Sequence, residues 1–191
     1  LAVGVWPANA SRARGGELEI AGVAATVLAA EFGSPLYVVD EADARARAAS
    51  IRRSFETAFA AIGATVTVYY AGKAFLSAEV ARWMDAEGLA IDVASGGELA
   101  LALAAGIDAS RMGVHGNNKS LEEIESAVGA GVGAIVLDSA IEIERVADAA
   151  RHHGVVQRVR LRTNTGVHAH THDYLATARE EKADMIGLSG M

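Results

Sequence analysis

From Pro35 onward the chain repeats one rhythm. A short run of apolar, β-branched or aromatic residues is followed by a small polar cluster, then by a longer alanine-rich stretch with helical spacing. The apolar runs are Leu36–Val39, Thr65–Ala71, Leu89–Val93, Met112–Val114, Ala134–Leu137 and Val159–Leu161, each of strand length. Helical stretches fall near 41–60, 77–87, 97–105, 120–129 and 140–152. Residues 1–35 lack this rhythm. They hold Trp6, Pro7, an Arg/Gly-rich stretch from Ser11 to Gly16 and a candidate helix from Thr26 to Glu31 ending near Gly33. The pattern predicts an N-terminal lead-in segment over 1–35, a strand–helix alternation over 36–175 and a departing tail over 176–191.

An unbroken β-α-β-α alternation implies a parallel sheet with right-handed crossover helices. The helix starts agree: Ser95-x-x-Glu98, Ser120-x-x-Glu123 and Ser139-x-x-Glu142 have the form of capping boxes, each placed where an apolar run has just ended. Lys73, Ser95, His115, Asp138 and Arg162 all sit at or just beyond the end of a run, at separations of 22, 20, 23 and 24 residues. In a parallel β/α barrel such strand ends share one face, whereas a doubly wound sheet gathers them at a switch-point crevice. No G-x-G-x-x-G follows the first run, which favours the barrel. A full barrel takes about 250 residues, so the expected fold class is α/β, a TIM-type parallel β/α barrel that is incomplete in this chain.

Composition narrows the function classes. The 191 residues are 51% hydrophobic and 21% charged, enough apolar content for a folded core. Seventeen Lys and Arg against twenty-four Asp and Glu give a net charge of −7 without a basic block, so neither nucleic acid nor an anionic membrane is an expected partner. No apolar run approaches the roughly 18–20 residues of a membrane span. The absence of cysteine excludes disulfides and thiolate chemistry and fits a reducing, cytoplasmic setting. The chain starts at Leu1 without a methionine, which suggests trimming.

Lys73 is the first candidate for chemistry. It ends an apolar run and is followed by Ala74 and Phe75, so its stem is expected to be buried, and a desolvated amine becomes a nucleophile able to join a carbonyl. The alternative is a lysine that merely snorkels from a strand end. His115-Gly-Asn-Asn-Lys-Ser120 lacks the G-x-x-x-x-G-K-[ST] of a phosphate loop and reads as turn chemistry, with His115 or Asn117 left as candidates at a cofactor's edge. His168-Ala-His170-Thr-His172 has ligand spacing for a metal-dependent hydrolase, with Asp173 as the nearest carboxylate. Asp92 and Glu98 have structural alternatives as a strand-end turn residue and a capping-box member.

Five motifs change this balance. Tyr70-Ala-Gly-Lys-Ala74, Asp92-Val-Ala-Ser-Gly-Gly-Glu-Leu99, His115-Gly-Asn-Asn-Lys-Ser120, Val136-Leu-Asp-Ser139 and Gly166-Val-His-Ala-His-Thr-His172 resemble, in order and spacing, the diaminopimelate decarboxylase family over roughly residues 20–175. The resemblance implies a fold-type III pyridoxal-phosphate enzyme: an alanine racemase-like barrel paired with a C-terminal β-domain, acting as a homodimer on a small amino-acid substrate in lysine biosynthesis. Lys73 then matches the lysine that holds pyridoxal 5'-phosphate. Asp92 and Glu98 match acidic positions near the cofactor and its lysine, and Arg162 an arginine further round the barrel, where they would orient lysine and ring and tune charge, while His115 stays a candidate at the cofactor's edge from its place at a strand end. The histidines of 168–172 become part of a family loop, with no metal expected.

The family's later motifs do not occur here: the glycine-rich phosphate cradle, the Glu-Pro-Gly-Arg segment facing the pyridine nitrogen and the Cys-Glu-Ser segment of the partner subunit. After Tyr174 the family's Glu-Asp-x-Lys-Phe-Gly is replaced by Arg179-Glu-Glu-Lys-Ala-Asp, and the tail resembles a segment of cobalamin-dependent methionine synthases about as well. The resemblance therefore implies the N-terminal part of such an enzyme, carrying the covalent lysine. The alternatives are an ornithine- or arginine-type decarboxylase or racemase of the same fold, and a cofactor-binding segment without catalysis.

Overall fold

Short apolar runs and amphipathic stretches alternate in space as they do in sequence. The computed structural model describes residue 1 and residues 5–163. The motif at 166–172 and the tail at 176–191 lie outside the described residues.

The N-terminal region forms a small antiparallel sheet, β1 (Ala10–Arg12), β2 (Leu18–Ile20) and β3 (Val23–Ala24) in that spatial order, followed by helix α1 (Ala25–Phe32). Ile20 pairs with Val23, so β2 and β3 are joined by Ala21 and Gly22, both at positive φ, the twist that a two-residue hairpin requires. Helix α2 (Glu41–Ala60) starts at Asp40, whose carboxylate accepts the Asp43 amide at 3.2 Å and the Asn9 side-chain amide at 2.9 Å.

The remaining elements are β4 (Tyr69–Ala71), α3 (Ala78–Ala86), β5 (Ala90–Val93), α4 (Gly96–Ala104), β6 (Met112–Val114), α5 (Leu121–Ala130), β7 (Ala134–Leu137), α6 (Ala140–His153) and β8 (Val159–Leu161). The strands form one parallel sheet in the order β4-β5-β6-β7-β8. A doubly wound sheet reverses its strand order at a switch point. Here the order never reverses, so the sheet grows in one direction and keeps one face for the helices, as a β/α barrel does.

Residue alternation divides the two faces. Ile91, Val93, Met112, Val114, Ile135 and Leu137 face the helices and make one core with Val80, Met84, Leu99, Ile124, Val128 and Val146. The opposite, concave face carries Tyr69, Asp92, Gly113, Val136 and Arg160, in which Asp92 pairs with Gly113 and Val136 with Arg160. The guanidinium of Arg160 on β8 donates to the Tyr69 hydroxyl on β4 at 2.8 Å and lies over the Tyr69 ring. Four strand spacings in a flat sheet put β4 and β8 about 19 Å apart, farther than these two side chains together reach. The sheet is therefore curled, but it is not closed.

Most expected elements appear within a residue or two of their predicted bounds. Leu36–Val39 does not: it is extended but joins no ladder, and Tyr37 is almost fully exposed. Its apolar sequence suits a strand, yet among the described residues no strand lies beside it to complete the hydrogen bonds. The run Thr65–Ala71 shortens to β4 because its partner β5 begins only at Ala90, opposite Tyr69.

The three capping boxes also diverge. Ser120 and Glu123 form a complete one. Ser95 caps α4, but the Glu98 carboxylate accepts the Ala94 amide at 2.6 Å instead of the Ser95 amide. Ser139 makes no side-chain cap: the Glu142 amide donates to the Ser139 carbonyl at 3.2 Å, and the Glu142 carboxylate turns to the Asp138 amide at 2.9 Å and to Lys119.

Candidate functional site

Strand β4 runs into a tight 3-10 turn, Gly72–Ala74, which presents Lys73 at the C-terminal edge of the sheet. Gly72 is buried, and a Cβ there would stand 2.9 Å from the carbonyl oxygen of Asp92 and 3.7 Å from Glu98 Oε2. A glycine is what lets the lysine-bearing turn lie against β5. Tyr70 closes the turn from its other side, donating its hydroxyl to the Phe75 carbonyl at 2.6 Å. Burial pushes the Tyr70 phenol above its usual range, against a smaller opposing pull from this hydrogen bond, so the donor proton stays in place. Lys73 itself is exposed, as are Ala74 and Phe75. The expected burial of its stem is not met, because the turn lifts the side chain clear of the strand.

Behind Lys73 the concave face holds a group of polar atoms. Asp92 Oδ1 and His115 Nε2 lie 3.2 Å apart. The approach is within ion-pair distance but is not aligned as a hydrogen bond, and neither buried atom has a hydrogen-bond partner among the described residues. Arg160 Nε is buried in the same condition. A Cβ on Gly113 would stand 2.3 Å from Asp92 Oδ1, 3.5 Å from the Tyr69 ring and 3.6 Å from an Arg160 nitrogen, so this glycine makes room for the carboxylate.

Unspent hydrogen-bonding capacity beside a reachable amine suits a polar, anionic aldehyde such as pyridoxal phosphate: a nucleophile for its carbonyl, with donors and acceptors to fix its ring. The residues present thus fit the covalently held end of that cofactor.

The loops that carry these groups are tied together by carboxylates. Glu123 accepts the Ser120 amide at 2.9 Å and the Gly96 amide at 2.7 Å, bridging the loops after β6 and β5. These two backbone hydrogen bonds hold its carboxyl below the ordinary range. Glu142 accepts the amides of Asp138 and Lys119, bridging the loops after β7 and β6. Lys119 is 3% exposed; its ammonium lies 3.0 Å from Glu142 and 3.7 Å from Asp138, and donates to the Gly116 carbonyl at 2.6 Å. This buried ion pair holds the backbone just after His115.

Of the residues singled out from sequence, Lys73, Asp92, Glu98 and His115 thus gather at the ends of β4, β5 and β6. Arg162 is exposed and follows β8 directly in the chain. Sequence reasoning missed Arg160 and Tyr69. The available signal was an arginine centred in the run Val159–Leu161, which by alternation faces away from its two apolar neighbours.

Comparison with known proteins gives the same picture. Residues 48–183 match the family model described as pyridoxal-dependent decarboxylase, pyridoxal binding domain. The diaminopimelate decarboxylase of Mycobacterium leprae is 51% identical over 189 residues, covering 99% of this chain and 38% of its own length. That of Bacillus subtilis is 46% identical over 166 residues, 87% of this chain and 37% of that protein. The chain thus spans about two-fifths of the length of the curated relatives it matches. A crystal structure of diaminopimelate decarboxylase from M. jannaschi superposes with a TM-score of 0.75 at 28% identity, covering 92% of this chain and 40% of that one. The chain belongs to the pyridoxal-dependent decarboxylases, and the family match lies in their pyridoxal-binding domain.

Proposed function

We propose that the chain is the cofactor-holding part of a diaminopimelate decarboxylase, releasing CO2 from meso-diaminopimelate to leave L-lysine in the cytoplasm. The observation that carries the reading is Lys73, displayed on a turn whose Gly72 lies against the Asp92 carbonyl and the Glu98 carboxylate. It is supported by the 51% identity to a protein of that name and by a solved relative, 28% identical, described in complex with L-lysine.

Lys73 is the covalent anchor, and its amine is the group exchanged for the substrate's. Asp92 and His115, 3.2 Å apart, supply the polar atoms that orient the ring and tune its charge. Glu98 stands behind the turn and fixes the lysine's approach, and Arg162 supplies a cation. When bound, pyridoxal phosphate delocalises the electron pair left as the carboxylate departs, and a proton then replaces CO2 on that carbon. The reading keeps 36–175 as barrel and 1–35 as its lead-in, and places the working enzyme in a homodimer.

The test is to add pyridoxal phosphate to the purified chain, reduce with borohydride and map the labelled peptide. Label confined to Lys73 and abolished by Lys73→Ala supports the cofactor site; scattered labelling of surface lysines removes it. Label at Lys73 without CO2 release from meso-diaminopimelate, when the rest of such an enzyme is supplied in trans, keeps the cofactor and overturns the substrate.

A further inference from the structure

Helix α6 ends on two consecutive histidines, and both imidazoles turn to one carboxylate. His152 Nδ1 lies 3.2 Å, and His153 Nε2 2.9 Å, from the same Oε2 of Glu125 on α5. The three atoms all fall within 4.8 Å of one another. The helices return antiparallel to the strands, so this cluster occupies the outer layer toward the strand N-termini, at the opposite end of the sheet from Lys73.

We propose that Glu125, His152 and His153 form a surface site for a divalent transition metal, with Zn2+ as its representative. Zinc takes imidazole nitrogen at about 2.0–2.1 Å and carboxylate oxygen at about 2.0–2.2 Å, so donors on a tetrahedral ion stand roughly 3.3 Å apart. The two nitrogen-to-oxygen separations are already near that edge length, and the largely exposed His152 ring has freedom to close the remaining one. Water completes the shell.

Two further features favour a cation at this spot. Gly129, one helical turn beyond Glu125, has no side chain where a Cβ would stand 2.9 Å from His153 Cε1 and 3.3 Å from its Nε2. The missing Cβ lets the imidazole lie against α5 and keeps its Nε2 beside Glu125. The last turn of α6, closed by Gly154 in the left-handed conformation, presents the negative end of the helix dipole.

The test is calorimetric titration of Zn2+ into the chain carrying His168→Ala, His170→Ala and His172→Ala, which removes the other histidine cluster. One saturable Zn2+ per chain is expected. His153→Ala and Glu125→Gln should each weaken it by about tenfold or more, as loss of one of three ligands requires. Gly129→Ala should weaken it as well, although alanine suits a helix better than glycine does. Circular dichroism of each variant checks that the fold is kept. Absence of saturable uptake overturns the site, and so does an affinity that either ligand substitution leaves unchanged.

Discussion

At the scale of single residues, the lysine-bearing turn depends on two neighbours that do not themselves react. Gly72 permits its approach to Asp92, and Tyr70 ties its far side to Phe75. Tyr70→Phe keeps the ring and its packing but removes the donor, which costs about 1 kcal/mol of stability. With the turn released, the backbone that presents Lys73 is held less firmly against β5. We expect slower borohydride-trapped labelling of Lys73 by pyridoxal phosphate with an unchanged circular dichroism spectrum, and labelling at the parent rate would remove the positioning role. The placement of Lys73 and His115 just beyond strand ends was legible in the sequence, because an apolar run followed by a polar residue is a local signal, whereas Asp92 stood out only through the resemblance of the motif around it. Tyr70 and Gly113 were not legible, because what matters in each is a contact that only the folded turn or sheet creates: a hydroxyl meeting the Phe75 carbonyl, and a missing Cβ beside a carboxylate on the neighbouring strand.

At the scale of elements, helix positions were largely readable, since a serine before an amphipathic stretch and a glycine after it are local signals. What each glutamate at a helix start would do was not. Local reasoning assigned all three to their own N-caps, yet only Glu123 completes a box, and it also reaches Gly96 of the preceding unit, while Glu142 reaches back to Lys119. These glutamates clamp loop to loop, and the strands' geometry decides their partners.

The clamps predict acid sensitivity. Burial pushes the Glu142 carboxyl up, but the Asp138 amide and the Lys119 ammonium and amide together hold it below its ordinary value of 4.5; Glu123 is lowered by the Ser120 and Gly96 amides. A carboxyl with a depressed native pKa stabilises the fold fully above its unfolded value and loses that contribution as pH falls through the native one. Urea midpoints should therefore be level from neutrality to about pH 5 and fall steeply below about pH 4.5. Glu142→Gln leaves the Lys119 charge buried without its nearest partner and should destabilise by about 3–5 kcal/mol at neutral pH. Combined with Glu123→Gln it should flatten the acid limb, and an undiminished acid loss in the double variant would refute the clamps as its source.

At the scale of the whole molecule, strand order was implied by the sequence, since each run follows its crossover helix. Barrel-type curvature was implied as well, but not the contact of Arg160 with Tyr69, 91 residues apart, which meets across the concave face and can hold it. Strand twist and the crossover helices alone could also bend the sheet, and the two causes make different predictions. If the Arg160–Tyr69 contact holds the edges together, its hydrogen bond and cation–π contact couple the two sites. If curvature is imposed from the helical side, the contact is incidental and the two substitutions add. The deciding measurement is a double-mutant cycle of Arg160→Ala and Tyr69→Phe, with a second cycle using Tyr69→Ala to remove the ring, followed by urea unfolding. A coupling of about 1 kcal/mol is expected for the ring-deleting cycle, and less for the hydroxyl alone. Additivity in both cycles would assign the curl to twist and helix packing.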